Sequence, residues 1–301
     1  MSIYDKAKAL GQAVRSAMTL PLGSADLLPN SPSTSAVDGE RERIDSLVMT
    51  LRKEIEGKFE VAPPTIAVIG LSGVGKSSAI NAMFGTDLKT SATVRGTSEF
   101  ESVRVRLNIK RGEAEGGIGF LRVYDAPGLG EDRDIDPKYM EMYEEHLPLC
   151  DVALWIVAGR NRALALDQQY LERLGPLLQG KVVFGVSQVD LVDPVEWNKL
   201  KNLPSDSQLS NIAKIVEDRS ARLSKAIGKQ VKCVPFSSAN YYNLMDLYEH
   251  IVEGAPRDRR WMFDFVRSFS AADWIARAEG LTDDQRAAIV KKYGVKNCEY
   301  L

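Results

Sequence analysis

Residues 65–85 read TIAVIGLSGVGKSSAINAMFG, and this stretch decides the fold. An apolar segment of strand length, TIAVIG, runs into the pattern GxxxxGK[ST] at residues 70–77, and an amphipathic helical segment follows at residues 76–83. Strand, glycine-rich turn and helix in this order are the context in which the pattern indicates a phosphate-binding loop. Because glycines lack a Cβ atom, successive backbone N–H groups can turn toward one phosphate, and the helix aims its positive end at the same point.

The residues of this loop have separate predicted roles. Lys76 is expected to reach the β- and γ-phosphates of a nucleoside triphosphate, and the Ser77 hydroxyl is expected to bind Mg²⁺. The alternative is a glycine-rich turn that binds nothing, which the preceding strand and the following helix disfavour. The motif indicates a nucleoside triphosphate without identifying its base. The residues predicted to contact the nucleotide here are Ser72, Gly73, Val74, Gly75, Lys76, Ser77 and Ser78.

From residue 65 onward, apolar runs of strand length alternate with amphipathic helical stretches, which is typical of βαβ units with parallel strands. The predicted fold class is therefore α/β, a three-layer α/β/α sandwich of the P-loop NTPase type with a mainly parallel six-stranded sheet. The segment SVRVRLNI alternates apolar and polar side chains, as an edge strand with one solvated face does. The predicted strands are residues 65–70, 102–109, 120–126, 151–157, 181–187 and 232–237, and the predicted helices are residues 76–83, 137–146, 164–178, 207–227 and 244–252.

A second motif, Asp125-Ala126-Pro127-Gly128, ends the predicted strand FLRVYDA. An aspartate in this position can hold Mg²⁺ through water, and the glycine N–H can face the γ-phosphate. In isolation DAPG would be only a turn. Its position downstream of the phosphate loop predicts the moving contact of a nucleotide switch.

The base is predicted from Ser187-Gln188-Val189-Asp190, which follows the strand KVVFGVS where GTPases present the motif [NT]KxD. The Asp190 carboxylate can accept hydrogen bonds from the ring N–H and the exocyclic amine of guanine, and adenine offers no matching donors. Ser187 and Gln188 depart from the motif. The serine hydroxyl can still tie this loop to the phosphate loop, and Gln188 keeps an aliphatic stem for stacking on the base but has no charge.

Two further elements complete the predicted site. In FSSAN, after the last predicted strand, Ser238 and Ala239 are expected to present a backbone N–H to the guanine oxygen. The polar segment KTSATVRGTSEF lies between the phosphate loop and DAPG, where the first switch belongs. Thr97 is the residue expected to bind Mg²⁺ and the γ-phosphate, with Ser98 or Thr93 as alternatives.

Charge, cysteine content and apolar runs limit the partners and the cellular location that we expect for the chain. The net charge of −2 combines 39 basic with 41 acidic residues, so no overall field draws the chain to nucleic acid or to an anionic membrane. Cys150, Cys233 and Cys298 are too scattered for a disulfide framework, and no CxxC pair suggests zinc. The first twenty residues lack the apolar core of a signal peptide, and no apolar run reaches the roughly 18 residues of a spanning helix. A soluble, cytoplasmic protein is expected.

The chain outside the core is predicted to form helical flanks. Residues 21–39 combine proline, glycine and serine, a composition that resists helix and strand, and apolar residues at helical spacing lie on both sides. The predicted organisation is an N-terminal amphipathic helix (1–20), a linker (21–39), a helix leading into the core (40–62), a GTP-binding domain (63–254) and a C-terminal helical extension (255–301).

These motifs resemble the Era/TrmE-like branch of P-loop GTPases, and more narrowly the bacterial proteins described as HSR1-related or 50S ribosome-binding GTPases. The resemblance rests on GLSGVGKSSAINAMFG, RGTSEF, DAPGLGED, DVALWIVAGRNRALALDQQYLERL and SQVD, and it covers residues 65–252. It implies an enzyme that hydrolyses GTP to GDP and phosphate with Mg²⁺ as cofactor. Together with the motifs it assigns catalysis to Lys76, Thr97 and Gly128, and the metal to Ser77, Thr97 and Asp125.

Hydrolysis is expected to be slow. The residue after the DxxG glycine is Leu129, which cannot orient a water molecule as a glutamine does. Potassium-activated members of the family carry asparagine at the fourth position of the phosphate loop, and Gly73 at this position argues against potassium dependence. Arg95, Arg160 and Arg162 are candidates for an arginine finger, although solvated surface arginines are the simpler interpretation.

Two functions from different classes remain open on the sequence. The first is a GTP-controlled switch for a partner such as ribosomal RNA or another protein, with a homodimer through the GTP-binding domain as a further option. The second is a membrane-associated GTPase that assembles as dynamin-like proteins do. The segment PRDRRWMFDFVRSFSAADWIARAEG interleaves basic and aromatic residues, which suits RNA, a membrane surface or packing onto its own domain. The short flanks favour the switch.

Overall fold

The computed structural model describes residues 46, 49–50, 53–90, 99–111, 114–130, 136–161, 163–178 and 180–267. The chain divides into two compact units, one comprising residues 1–63 and 108–120 and the other residues 64–107 and 121–301. In the first unit, residues 53–61 are helical and bury Ile55 and Phe59, one helical turn apart. A Cβ atom on Gly119 would lie 2.5 Å from Phe59 Cβ, so glycine permits this close approach.

Six strands form one sheet in the order β2-β3-β1-β4-β5-β8. β1 pairs in parallel with β3 and β4, and β5 pairs in parallel with β4 and β8. β2 is an edge strand, as its alternating side chains predict. The mainly parallel sheet expected from the sequence is therefore confirmed. The described strands are β1 (Thr65–Gly70), β2 (Glu101–Arg111), β3 (Ala114–Asp125), β4 (Val152–Ala158), β5 (Val182–Ser187), β6 (Trp197–Asn198), β7 (Leu203–Pro204) and β8 (Cys233–Pro235).

The named helices are α1 (Lys76–Phe84), α2 (Asp136–His146), α3 (Ala165–Leu178), α4 (Asp206–Ile227) and α5 (Leu244–Gly254), with 3₁₀ turns at Leu147–Leu149 and Val189–Leu191. Residues 260–267 are also helical. α1 packs on α5 and α3 packs on α4, while α5 also contacts β4, β5 and β8, in keeping with helical layers on a central sheet. Among the described residues, no helix is long and apolar enough to cross a membrane.

The predicted elements recur with small shifts at their ends, and two differences are larger. β3 begins at Ala114, well before the predicted start at Phe120. The sequence did not indicate this longer strand, because the glycine-rich segment AEGGIG has no pattern typical of a strand. β6 and β7, each of two residues, form an antiparallel pair that the sequence did not predict, since so short a strand shows no periodicity. The predicted helix 1–20 and linker 21–39 lie outside the described residues, and the domain boundaries remain predictions.

The carboxyl of Asp167 is buried in the core. Trp155 in the fully buried β4 donates its indole N–H to Asp167 Oδ1 of α3 at 3.0 Å, and Asp167 is 1% exposed. Burial raises the pKa of Asp167 to about 6, against the opposing effects of the Trp155 hydrogen bond and the positive charge of Arg219. Arg219 is itself buried and donates to Asp218 and to the carbonyl of Asn161.

Asp167→Asn should change how stability depends on pH. A carboxyl whose pKa rises on folding contributes stability that is fully present below its ordinary pKa of 3.8 and is lost as the pH passes about 6. Asparagine keeps an acceptor for Trp155 and carries no charge. In urea unfolding, the variant should therefore gain on the wild type as the pH rises from 4 to 7, by about 3 kcal/mol at most. The exposed Asp258→Asn is the control. A difference that does not vary with pH contradicts the prediction.

Candidate nucleotide-binding site

The phosphate loop joins β1 to α1 and takes its shape from three glycines. Gly73 and Gly75 have φ values of 73° and 89°, in the left-handed region that favours glycine, and Gly75 directly precedes α1. A Cβ atom on Gly70 would lie 2.4 Å from the carbonyl oxygen of Ile156 in β4, so a side chain there would push the loop off the sheet. The loop therefore curls at the carboxyl end of β1, where ligands bind in open α/β sheets.

Lys76 lies inside this loop. Its side chain is buried, and Nζ donates to the carbonyl oxygens of Gly70 at 3.3 Å and Leu71 at 3.1 Å. Ser72 and Gly73, in contrast, are exposed. The loop thus presents backbone to solvent on its outer side and an ammonium group within, an arrangement suited to a polyphosphate.

Ser77 and Asp125 are brought together, as the prediction of a shared magnesium site requires. Ser77 Oγ donates to Asp125 Oδ2 at 2.5 Å, and Asp125 is fully buried at the end of β3, where it pairs in register with Val68 of β1. Hydroxyl and carboxylate oxygens are ligands of the kind that Mg²⁺ binds. The described part of the chain holds no cluster of three or more His, Cys, Asp or Glu residues that could bind a metal. The donor set here therefore fits a cation that keeps water and phosphate oxygens among its ligands.

The DAPG turn is fixed to the phosphate loop by backbone contacts. Ser72 N donates to Leu129 O at 3.0 Å, and Leu129 N donates to Gly70 O at 3.3 Å. A Cβ atom on Gly128 would lie 2.8 Å from Ser72 Cα, a distance that real Cβ contacts do not show. Leu129 is fully buried, so its side chain presents nothing to a water molecule in the site.

Side chains from two helices hold the same turn, and the sequence reading missed them. Tyr143 donates its hydroxyl to the Pro127 carbonyl at 2.8 Å. Asp136, the first residue of α2, accepts from Gly130 N at 3.1 Å and from the hydroxyl of Tyr170 in α3. Burial and the bond to Asp136 raise the pKa of Tyr170 to about 12, so this phenol stays a donor at neutral pH.

The two departures from [NT]KxD both contact the phosphate loop. Ser187 is buried, and its Oγ donates to the Val74 carbonyl at 2.6 Å. Gln188 has a φ of 57° and donates through Nε2 to Gly73 O at 3.0 Å. The contact expected of the serine hydroxyl is present, and the glutamine amide adds a second. Asp190 is half-buried in the 3₁₀ turn at the carboxyl end of β5.

The FSSAN loop lies next to this 3₁₀ turn. Val189 N donates to Phe236 O at 3.4 Å, and Ser237 and Tyr242 exchange two backbone hydrogen bonds of 3.1 and 2.9 Å that close the loop. Within it Ser238 is half-buried and Ala239 is exposed. Both elements predicted to read the base therefore stand at one end of the sheet, and this role remains a prediction.

Two amide side chains support these base-reading loops, and the sequence reading named neither. Asn202 Nδ2, beside β7, donates to the Asn240 carbonyl at 2.7 Å. Gln208 Nε2, in the first turn of α4, donates to carbonyls of the 3₁₀ turn. The spacing Ser205-x-x-Gln208 is a capping-box pattern that signals the start of a helix, and Ser205 Oγ does accept from Gln208 N at 3.2 Å. That signal locates the helix but not the partner of the amide.

Part of the predicted site lies outside the described residues. This applies to Thr97 and to its alternatives Ser98 and Thr93, and to the candidate arginines Arg95 and Arg162. Arg160 is described and exposed. The switch threonine and the arginine finger therefore stay predictions.

One family model matches part of the chain. Residues 65–186 match the family model described as 50S ribosome-binding GTPase. This segment runs from the start of β1 into β5, ends one residue before Ser187, and contains the phosphate loop and the DAPG turn. Ser187 and Asp190 lie just beyond it, and the FSSAN loop lies further along the chain.

Curated relatives match over part of their length. The uncharacterized proteins YkfA and YfjP of Escherichia coli K12 are 34% identical over 132 residues and 33% identical over 152 residues, covering 44% and 50% of this chain. The chain spans 43% and 49% of these two relatives. The tRNA modification GTPase MnmE of Chromobacterium violaceum is 32% identical over 127 residues, which are 42% of this chain and 26% of that protein.

Gly128→Ala should separate the DAPG turn from the phosphate loop. The added methyl group would meet Ser72 Cα and N at 2.8 and 3.1 Å, and backbone atoms cannot move aside as a side-chain end does. We expect a loss of about 1 to 3 kcal/mol in urea unfolding and weaker nucleotide binding by calorimetry.

Gly175→Ala is the matched control. Gly175 lies in α3 with no atom within 4 Å of an added Cβ, so the same change should stabilise the protein by about 0.5 to 1 kcal/mol and leave binding intact. Equal effects of the two variants would contradict the prediction.

Proposed function

We propose that this chain, whose residues 65–186 form a P-loop GTPase domain of the Era/TrmE-like class, binds GTP, hydrolyses it slowly with Mg²⁺ and acts as a nucleotide-controlled switch. The observation that carries the proposal is the pair of hydrogen bonds from Ser187 and Gln188 to the phosphate loop. They join the loop that would read the base to the loop that would hold the triphosphate, so one ligand must satisfy both.

Guanine selection is assigned to Asp190. Its carboxylate stands on the 3₁₀ turn that follows β5, directly after Ser187 and Gln188. Guanine offers two N–H donors to such a group, and adenine would leave the charge unpaired. A backbone N–H at Ser238 or Ala239 is proposed to meet the guanine oxygen.

Hydrolysis would depend on charge stabilisation rather than on a side-chain base. Lys76 is proposed to hold the β- and γ-phosphates, and the Gly128 N–H to face the γ-phosphate. Ser77, Asp125 and Thr97 would hold Mg²⁺, which neutralises charge on the phosphate oxygens when bound. The buried Leu129 offers no group to orient water, which supports a slow intrinsic rate.

The partner is proposed to be ribosomal RNA or a protein of the ribosome. The description of the matching family, 50S ribosome-binding GTPase, supports this class of partner. The proposal includes a cytoplasmic location, which the free, buried thiols of Cys150 and Cys233 support because a reducing compartment leaves them unbridged. A homodimer through the GTPase domain and a dynamin-like assembly on membranes are the competing outcomes.

Asp190→Asn should move base preference from guanine to xanthine. Replacing the carboxylate removes two charge-assisted hydrogen bonds and should weaken GTP at least about 100-fold, while the new amide can donate to the oxygen that xanthine carries at position 2. Calorimetry with GTP, XTP and ATP in Mg²⁺ measures the loss of GTP affinity and the gain of XTP affinity. Phosphate release with and without EDTA measures the dependence of hydrolysis on Mg²⁺.

The control is Asp193→Asn, the same chemical change at an exposed carboxylate three residues further along the loop. It should leave GTP binding unchanged. Wild-type protein that gives no heat with GTP, or that binds ATP equally well, would refute the proposed function.

Ribosome binding should depend on the nucleotide. Wild-type protein with a non-hydrolysable GTP analogue should sediment with large ribosomal subunits through a sucrose cushion, and GDP should release it. Asp190→Asn with the same analogue should remain in the supernatant. Sedimentation with anionic vesicles in place of subunits would instead favour the dynamin-like alternative.

A further inference from the structure

We propose that Gln208 sets the position of the Asp190 carboxylate and thereby the discrimination between guanine and other purines. This inference rests on the proposed GTP binding and adds a residue to it. Gln208 lies in the first turn of α4, is fully buried, and is separated from Asp190 by the β6–β7 hairpin. Its amide does not touch the base, so it is a positioning residue.

The contacts of the amide are confined to the loop that carries Asp190. Nε2 donates to the carbonyl oxygens of Asp190 at 3.0 Å, Val192 at 2.9 Å and Val189 at 3.4 Å. Three carbonyl oxygens around one atom identify that atom as the nitrogen, since an amide oxygen there would be repelled by all three. The orientation of the side chain is therefore fixed by its surroundings.

The backbone N–H groups of the turn are paired elsewhere. Leu191 N and Val192 N close the 3₁₀ turn on Gln188 O and Val189 O, and Val189 N pairs with Phe236 O of the neighbouring loop. These bonds use three N–H groups of the turn, whereas the carbonyls of Asp190 and Val192 accept from Gln208. Buried carbonyls without a partner are costly, so the turn takes the conformation in which Gln208 reaches them.

The start of α4 fixes the amide in turn. Ser205 caps the helix by accepting from Gln208 N at 3.2 Å, and Ser205 N donates to Glu196 O at 2.8 Å, next to β6. In a usual capping box the glutamine side chain would return to the N–H of the capping residue. Here Glu196 O takes that N–H, and the Gln208 amide is left for the guanine-reading turn.

Asn211, three residues further along α4, donates from Nδ2 to the Asp193 carbonyl at 2.8 Å. Two side-chain amides of α4 therefore hold the loop through four of its carbonyls, those of Val189, Asp190, Val192 and Asp193. Asn211 is exposed at this contact, whereas Gln208 is buried, so we assign the positioning role to Gln208.

The test compares GTP with ITP, which lacks only the exocyclic amine that a well-placed Asp190 would accept from. In the wild type the ratio of the ITP and GTP dissociation constants should be about 10 to 100, the worth of one hydrogen bond to a charged group. Gln208→Met preserves length and volume but removes the donor. We expect the ratio to fall at least about fivefold, because a misplaced Asp190 costs GTP the bonds of both the ring N–H and the exocyclic amine, whereas ITP has only the ring N–H to lose.

Two further variants make the result decisive. Gln208→Asn keeps an amide that is one methylene too short to reach the carbonyls, and it replaces the Met variant if that variant does not fold. Ile212→Val removes a methyl group from the buried residue one turn further along α4 and should lower stability without changing the ratio.

The possible outcomes separate the two proposals. A wild type that does not bind GTP, or does not prefer it to ITP, refutes the proposed function itself. A wild type that discriminates, beside a folded Gln208 variant with the same ratio, refutes the positioning role alone. Equal weakening of GTP and ITP in that variant also refutes it, because the residue would then only support the fold.

Discussion

The hydrogen bond from the Ser187 hydroxyl to the Val74 carbonyl is the contact on which the site depends. It joins the carboxyl ends of β5 and β1, strands separated in the sheet by β4, through one buried 2.6 Å contact. A second hydrogen bond between the two loops comes from the more exposed amide of Gln188. A small hydroxyl suffices here because both strands are buried and their ends cannot drift apart.

Much of the site could be predicted from the sequence because it is local. The phosphate loop has φ values of 73° and 89°, which favour glycine, and the backbone of a neighbouring segment lies too close to the DAPG glycine for a side chain. Both constraints appear in the sequence as glycines at fixed positions of a motif. The strands β1, β4 and β5 are buried in the centre of the sheet, and strands covered on both faces are continuous apolar runs in the sequence.

The side chains that support the site without forming part of its motifs could not be predicted in this way. Gln208 and Asn202 act through backbone carbonyls distant in sequence, and a carbonyl exists at every residue, so no pattern of side chains marks their partners. The β6–β7 pair that lies between Asp190 and α4 is too short for periodicity. Asp167 is a carboxyl that the sequence would assign to a solvated helix face, and only packing against Trp155 shows it to be buried.

The carboxylate of Asp136 has a mechanical consequence. One of its oxygens accepts from Gly130, beside the DAPG turn, and the other accepts from Tyr170 in α3. The segment after the DAPG turn, the start of α2 and α3 are therefore joined at one side chain, that of Asp136. A shift of Gly130 relative to α3 would therefore have to break one of these two hydrogen bonds or move α2 and α3 with it.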